Sequence, residues 1–227
     1  MTSVLRKALA ALVLTVGASM AHADSVNVCA LMRPLPGKSE ELRQTLLALV
    51  EPTSKEAGHL FYQVYGTKDG GLFLLEAWRS QEDLDRHIQQ PAVQEFIRKI
   101  PSLVDGSNEA HFGRMVSPKG QPSKHDASAP GVVNICSIKK PRSGKEAELR
   151  QALLSLVEPT RREEGLIYYN VFEEADGSIF LTEAWRNREA LEEHFRTPYV
   201  RAFRDKVDSL AERNEVHFGE LLKPRDK

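Results

Sequence analysis

The chain carries nearly the same text twice. Asn27-Val28-Cys29 returns as Asn134-Ile135-Cys136, Glu51-Pro52-Thr53 as Glu158-Pro159-Thr160, and Glu76-Ala77-Trp78-Arg79 as Glu183-Ala184-Trp185-Arg186, always 107 residues on. The spacing closes to 106 where Asn108-Glu109-Ala110-His111-Phe112-Gly113 becomes Asn214-Glu215-Val216-His217-Phe218-Gly219. Solenoid repeats recur at about 20–50 residues and need several copies, so two long copies mean a tandem duplication of a whole domain. The duplication also acts as a filter: a polar residue kept in both copies is a better candidate for a shared role than one found once.

The first 23 residues stand outside the repeat. Arg6 and Lys7 precede an apolar stretch from Ala8 to Met20, and Ala21-His22-Ala23 fits a small-residue cleavage site. This is the pattern of a secretory leader cut after Ala23, with an apolar run short for a membrane span. A periplasmic or secreted mature protein is expected. Loss of the leader takes the formal charge from −1 to −3, leaving 29 basic against 32 acidic residues, which favours neither nucleic acid nor an anionic membrane.

An oxidising compartment raises the question of a disulfide between Cys29 and Cys136. Their matched positions suggest that each sits in its own domain, whereas a bridge needs Cα atoms within about 7 Å. The favoured expectation is two buried free thiols, with an inter-domain bridge as the alternative.

Each copy reads β-α-β-β-α-α-β. A strand at residues 27–33 leads to a helix with Leu42, Leu46, Leu49 and Val50 on one stripe, repeated as Leu149, Leu153, Leu156 and Val157. Pro52 and Pro159 are expected to kink or restart that helix, and Gly58 and Gly165 to end it. Two strands follow, turning at Asp69-Gly70 and Asp176-Gly177. Ser80 and Asn187 are expected N-caps for short helices, and Pro91 and Pro198 open the next ones. A last strand spans about residues 108–116.

Strand 72–79 is apolar on both faces, so both need cover. One face packs on the helices of its own copy and the other on the sheet of the second copy. The expected product is an α+β protein of two ferredoxin-like units packed sheet to sheet, with domains at 24–116 and 132–223 and a Ser/Pro/Lys/Gly-rich linker at 117–131.

These stretches also resemble a known family. Leu46-Leu47-Ala48-Leu49-Val50-Glu51-Pro52-Thr53, the Glu76-Ala77-Trp78 strand, and Leu84-x-x-His87-x-x-x-Pro91 (with Leu191, His194 and Pro198) are similar to the antibiotic biosynthesis monooxygenase domain, in its quinol-monooxygenase-like branch. The resemblance implies a dimeric α+β barrel, here fused into a single-chain pseudo-dimer, with a pocket between sheet and helices in each half. It further implies oxygenation of a hydroxylated aromatic by molecular oxygen, without flavin, haem or metal. Some relatives degrade haem with a histidine on the helix after the short one; residues 91–100 and 198–207 contain no histidine.

The candidate site residues are weighed against packing roles. Asn27 and Asn134 resemble a pocket asparagine that binds a substrate oxygen, or else they satisfy local backbone. Trp78 and Trp185 are core aromatics, or walls for a planar substrate. His87 and His194 lie on the inner side of the short helix, as satisfied core groups or as the base for a phenolic proton. Tyr62 and Tyr169 are expected to line the pocket. Glu76 and Glu183, if buried, need partners, and a structural salt bridge is the favoured reading. His111 and His217 lack ligand spacing for a metal site, and no G-x-G-x-x-G or P-loop is present.

The leading expectation is therefore an exported oxygenase of small quinols or hydroxylated aromatics, needing no cofactor. The alternative is a non-catalytic small-aromatic binding or stress-response protein of the same fold. Position-by-position differences between copies (His59/Leu166, Phe61/Tyr168, Gln63/Asn170) allow the two pockets to have diverged.

Overall fold

A computed structural model describes residues 25–118 and 129–223. The leader and most of the linker expected from the sequence lie outside these residues. The first half comprises β1 (Val26–Met32), α1 (Ser39–Ser54), β2 (His59–Thr67), β3 (Leu72–Trp78), α2 (Gln81–Ile88), α3 (Pro91–Leu103) and β4 (Glu109–Ser117). The second repeats it as β5 (Val133–Pro141), α4 (Glu146–Thr160), β6 (Leu166–Glu174), β7 (Ile179–Trp185), α5 (Arg188–Arg196), α6 (Pro198–Leu210) and β8 (Ala211–Leu221).

Local chemistry sets these boundaries. Ser80 Oγ accepts from the Asp83 N–H and Asn187 from that of Ala190, capping α2 and α5, while Pro91 and Pro198 start α3 and α6 where no N–H is needed. Pro52 and Pro159 do not restart a helix. Both sit inside the last turn of α1 and α4, which end within a few residues. Gly58 and Gly165 lie beyond those ends at φ +82° and +89°, turning the chain into β2 and β6.

The strands form one closed antiparallel ring, in the order β1-β3-β2-β8-β5-β7-β6-β4 with β4 returning to β1. The two sheets of the duplicated units thus do more than stack face to face. They join along both edges, through Tyr65↔Leu221 to Thr67↔Gly219 on one side and Gly113↔Glu174 to Ser117↔Val171 on the other. All seven residues of β3 and of β7 are buried, as their two apolar faces require. Inward faces share a single barrel core that includes Leu31, Tyr65, Phe73, Phe172 and Phe180. Outward faces pack on the helices, with the larger clusters centred on Leu42, Leu46 and Leu74 in one half and on Leu149, Leu153 and Leu181 in the other, and smaller ones joining Trp78 to Leu84 and Trp185 to Leu191.

Cys29 and Cys136 are disulfide-bonded, with Cα atoms 7.0 Å apart, and are not free thiols. The expectation failed because it assigned each cysteine to its own core. The inward face of the barrel belongs to both halves, and β1 and β5 stand four places apart around the eight-strand ring, so their inward side chains meet.

Candidate functional site

The outward face of each β2–β3 pair, roofed by the short helix, gathers the repeated polar residues. Tyr62 pairs in register with Glu76, and Trp78 lies two residues further on the same face. His87 comes down from α2 onto this face. Its Nδ1 is 3.0 Å from Glu56 Oε1 and its Nε2 is 3.5 Å from Glu76 Oε2. Trp78 Nε1 donates to the same Glu76 Oε2 at 3.3 Å, and the imidazole packs on the indole with centroids 4.5 Å apart. The Tyr62 and His87 rings meet edge to face, with centroids 6.1 Å apart.

The second half repeats the arrangement. Tyr169 pairs in register with Glu183, Trp185 Nε1 donates to Glu183 Oε2 at 3.0 Å, and His194 packs on Trp185 at 4.5 Å. His194 Nδ1 is 2.6 Å from Glu163 Oε1, which also accepts the hydroxyl of Tyr199, a residue whose counterpart is Ala92.

Burial governs the electrostatics. Desolvation raises the Glu76 and Glu183 carboxyls above their ordinary range, opposed by the adjacent imidazole and by the indole N–H. Burial, reinforced by those carboxylates, pushes Tyr62 and Tyr169 well above the usual phenol value, so both hydroxyls stay protonated and available as donors. In the second half the group borders a cavity of about 370 Å³ under α4, α5 and α6, walled by Leu153, Leu181, Val200 and Phe203, with Tyr169, Glu183 and His194 among its polar liners. That volume suits a one- or two-ring compound, at the small end of the ~300–1,000 Å³ typical of ligand sites.

Of the residues singled out from the sequence, the structure brings together Tyr62, Glu76, Trp78 and His87, and likewise Tyr169, Glu183, Trp185 and His194. It separates Asn27 and Asn134 from them. In β1, Asn27 pairs with Ala77, whereas Glu76 pairs with Val28, so the asparagine faces the barrel interior with Cys29. There Asn134 accepts from the Tyr168 hydroxyl at 3.1 Å, and Asn27 donates to the Ser25 carbonyl at 3.2 Å. Neither asparagine can touch a ligand bound against His87 or His194 on the other side of the sheet. The indoles also have another part than that of an exposed wall. Both are fully buried beneath the imidazoles, each holding a carboxylate through its N–H.

The partners that a buried Glu76 needs are His87 and Trp78. His111, with Nδ1 2.9 Å from Glu174 Oε1, pairs in register with Cys29 on the barrel side, away from His87. Among the described residues no three His, Cys, Asp or Glu side chains are placed to hold a metal ion, and no helix is long and apolar enough to cross a membrane.

Three site residues were missed. Glu56 and Glu163 occupy matched positions one copy apart, so the duplication itself carried the signal. Lys139, which lines the second cavity, has Met32 as its counterpart and leaves no trace in a comparison of the copies.

Comparison with known proteins agrees with this layout. Residues 25–99 and 132–206 each match the family described as antibiotic biosynthesis monooxygenase. "Putative monooxygenase Rv0793" of Mycobacterium tuberculosis is 38% identical over 74 residues, covering 32% of this chain and 73% of that protein. An uncharacterized Synechocystis protein, sll1783, is 39% identical over 83 residues, covering 36% of this chain; the match spans little more than half of that relative, 56%. At the level of fold, a Fusobacterium nucleatum structure titled a putative monooxygenase superposes with a TM-score of 0.71 at 13% identity, covering 89% of this chain and 94% of that one. An anthrone oxidase-like protein gives 0.67 at 14% identity, covering 89% and 93%. With both halves matched along the same stretch that carries the Tyr-Glu-Trp-His group, the chain belongs to the antibiotic biosynthesis monooxygenase family, as a tandem of two domains closed into one barrel.

Proposed function

We propose that the chain is an exported monooxygenase of small quinols or related hydroxylated aromatics, working in the helix-side pocket without an external reductant. The observation that carries this reading is an imidazole held alike in both halves, with Nδ1 on a carboxylate and the ring packed on a buried indole, and with a protonated tyrosine on the same face of the sheet. His87 or His194 takes the phenolic proton, and Glu56 or Glu163 orients the ring and stabilises the imidazolium that forms. Tyr62 or Tyr169 donates to the substrate oxygen as negative charge gathers on it. The phenolate then surrenders electrons to oxygen far more readily than the phenol does. A quinol supplies all four electrons: one oxygen atom enters the ring, the other leaves as water, and a hydroxyquinone results.

Export is supported by the leader pattern and by the Cys29–Cys136 bridge, since such bonds persist in oxidising compartments. The test is oxygen uptake by chelator-treated protein produced from Asp24 onward, against a panel of quinols and catechols. Uptake above autoxidation is expected, falling by at least about 100-fold in His87→Ala/His194→Ala. Asn27→Ala/Asn134→Ala should retain it. Unchanged turnover in the histidine variant overturns the assignment of the base, and binding without turnover favours the reading of a non-catalytic aromatic-binding protein.

A further inference from the structure

The helix-facing sides of the two halves differ at a buried position that carries charge in only one of them. Lys139 lies on the helix-facing side of β5, 4% exposed, where the first half has Met32 packed into its apolar core. Its ammonium donates to Ser137 Oγ and to the Glu215 carbonyl at 3.3 Å, and no carboxylate of the described residues forms an ion pair with it. An ammonium has three protons to donate. Lys139 borders the cavity, so the remaining one is available to a guest there.

A buried cation without a counter-ion is costly, and the sister copy shows that the fold accepts an apolar residue at this place. We propose that the second-half cavity is an anion-selective subsite, in which Lys139 binds an ionised oxygen on a planar aromatic ligand, so that the two halves take different members of one substrate class. This deepens the reading of the helix-side pocket as the ligand site and rests on it.

Geometry gives the ligand a direction. Glu183 pairs in register with Ile135, four residues, roughly 13 Å, along β5 from Lys139. Lys139 and the Glu183–His194 group therefore face each other along the cavity, with Leu153, Leu181 and Phe203 between. A hydroxylated aromatic acid fits: its ionised group at Lys139 and its hydroxyl at His194. Arg204, exposed on α6 with its guanidinium 5.7 Å from the Phe195 ring centroid, adds a second cation at the rim. Burial lowers the Lys139 pKa to about 8, opposed by Glu183 and Glu215, so the ammonium is still charged at neutral pH. The other ionisable groups facing it are Tyr169 on β6, His194 on α5 and Arg204 on α6.

Calorimetric titration of the full mature chain with benzoate, 4-nitrophenol and phenol tests this. Benzoate should bind once per chain, at least 10-fold more weakly in Lys139→Met, with affinity falling as pH rises through about 8 in the wild type only. Phenol should not distinguish the two. Lys139→Arg, which keeps the charge, should retain benzoate, and thermal melts verify that both variants are folded. Binding of 4-nitrophenolate in preference to benzoate assigns the anion as a phenolate, and the reverse as a carboxylate. No benzoate or 4-nitrophenolate binding, two equivalent sites, or equal affinity in Lys139→Met overturns the proposal. Absent oxygen uptake with Lys139-dependent binding would leave it standing and remove only the oxygenase reading.

Discussion

The imidazoles of the two halves are held by carboxylates that a different residue choice would have left neutral. Glu56→Gln/Glu163→Gln preserves shape and removes the charge that favours the imidazolium. Oxygen uptake should fall by about 10–100-fold while aromatic binding changes little, so the loss should appear in kcat rather than KM. Lys139 offers a second prediction. Its folded pKa of about 8 lies below its ordinary 10.5, so its contribution to stability is fully present above the higher value and is lost as pH falls through the lower one. That amounts to about 3 kcal/mol across the window as an order of magnitude. Denaturant titrations at pH 7 and pH 10 should show Lys139→Met flattening the pH dependence by such an amount. What was readable at this scale followed the duplication: His87, Trp78, Glu76 and Tyr62 recur, and Glu56 recurs with them as Glu163. Lys139 occurs once, and the side of the sheet to which Asn27 points depends on which face the barrel closes over.

The elements themselves were legible because their signals are local: the alternation of β3, the leucine stripe of α1, the capping Ser80 and Asn187, the helix-opening prolines. Ring closure was legible only through the family resemblance, which implied a dimeric α+β barrel, and not from the strands themselves. Its seams hold residues of opposite halves, and nothing in a strand's own sequence names a partner so distant. One trace was present in the repeated His-Phe-Gly of β4 and β8. A Cβ on Gly219 would lie 2.5 Å from Phe73 and 2.8 Å from Tyr65 Cβ; one on Gly113 would lie 2.7 Å from Phe180 and 3.0 Å from Phe172 Cβ. Each glycine thus makes room for aromatics of the other half. Both are conformationally ordinary, so the constraint is space. Gly219→Ala and Gly113→Ala should each cost about 1–3 kcal/mol in chemical denaturation. Gly106→Ala, with nothing within 4 Å of the added atom, should be near neutral.

Besides the two strand seams, the halves are linked covalently twice, by the chain between β4 and β5 and by the disulfide between β1 and β5. Cys29 and Cys136 are separated by 107 residues, so the bridge closes a long loop and removes much freedom from the unfolded chain. The loop-entropy relation puts the effect near 4.7 kcal/mol for such a loop, and measured cases run from about 2 to 5. Cys29→Ala/Cys136→Ala should therefore unfold at lower denaturant by about that free energy. Dithiothreitol should bring the wild type down toward the variant and leave the variant unmoved. The variant should still superpose on the wild type by circular dichroism and keep its oxygen uptake, because the eight-strand hydrogen-bonded ring and the helix-side His–Glu–Trp groups do not include the sulfurs. Thiol titration of protein recovered from the exported fraction decides the premise: no reactive thiol on unfolding without reductant is expected. Two free thiols there would mean that the barrel is held by its strands alone and would remove the bridge as support for export.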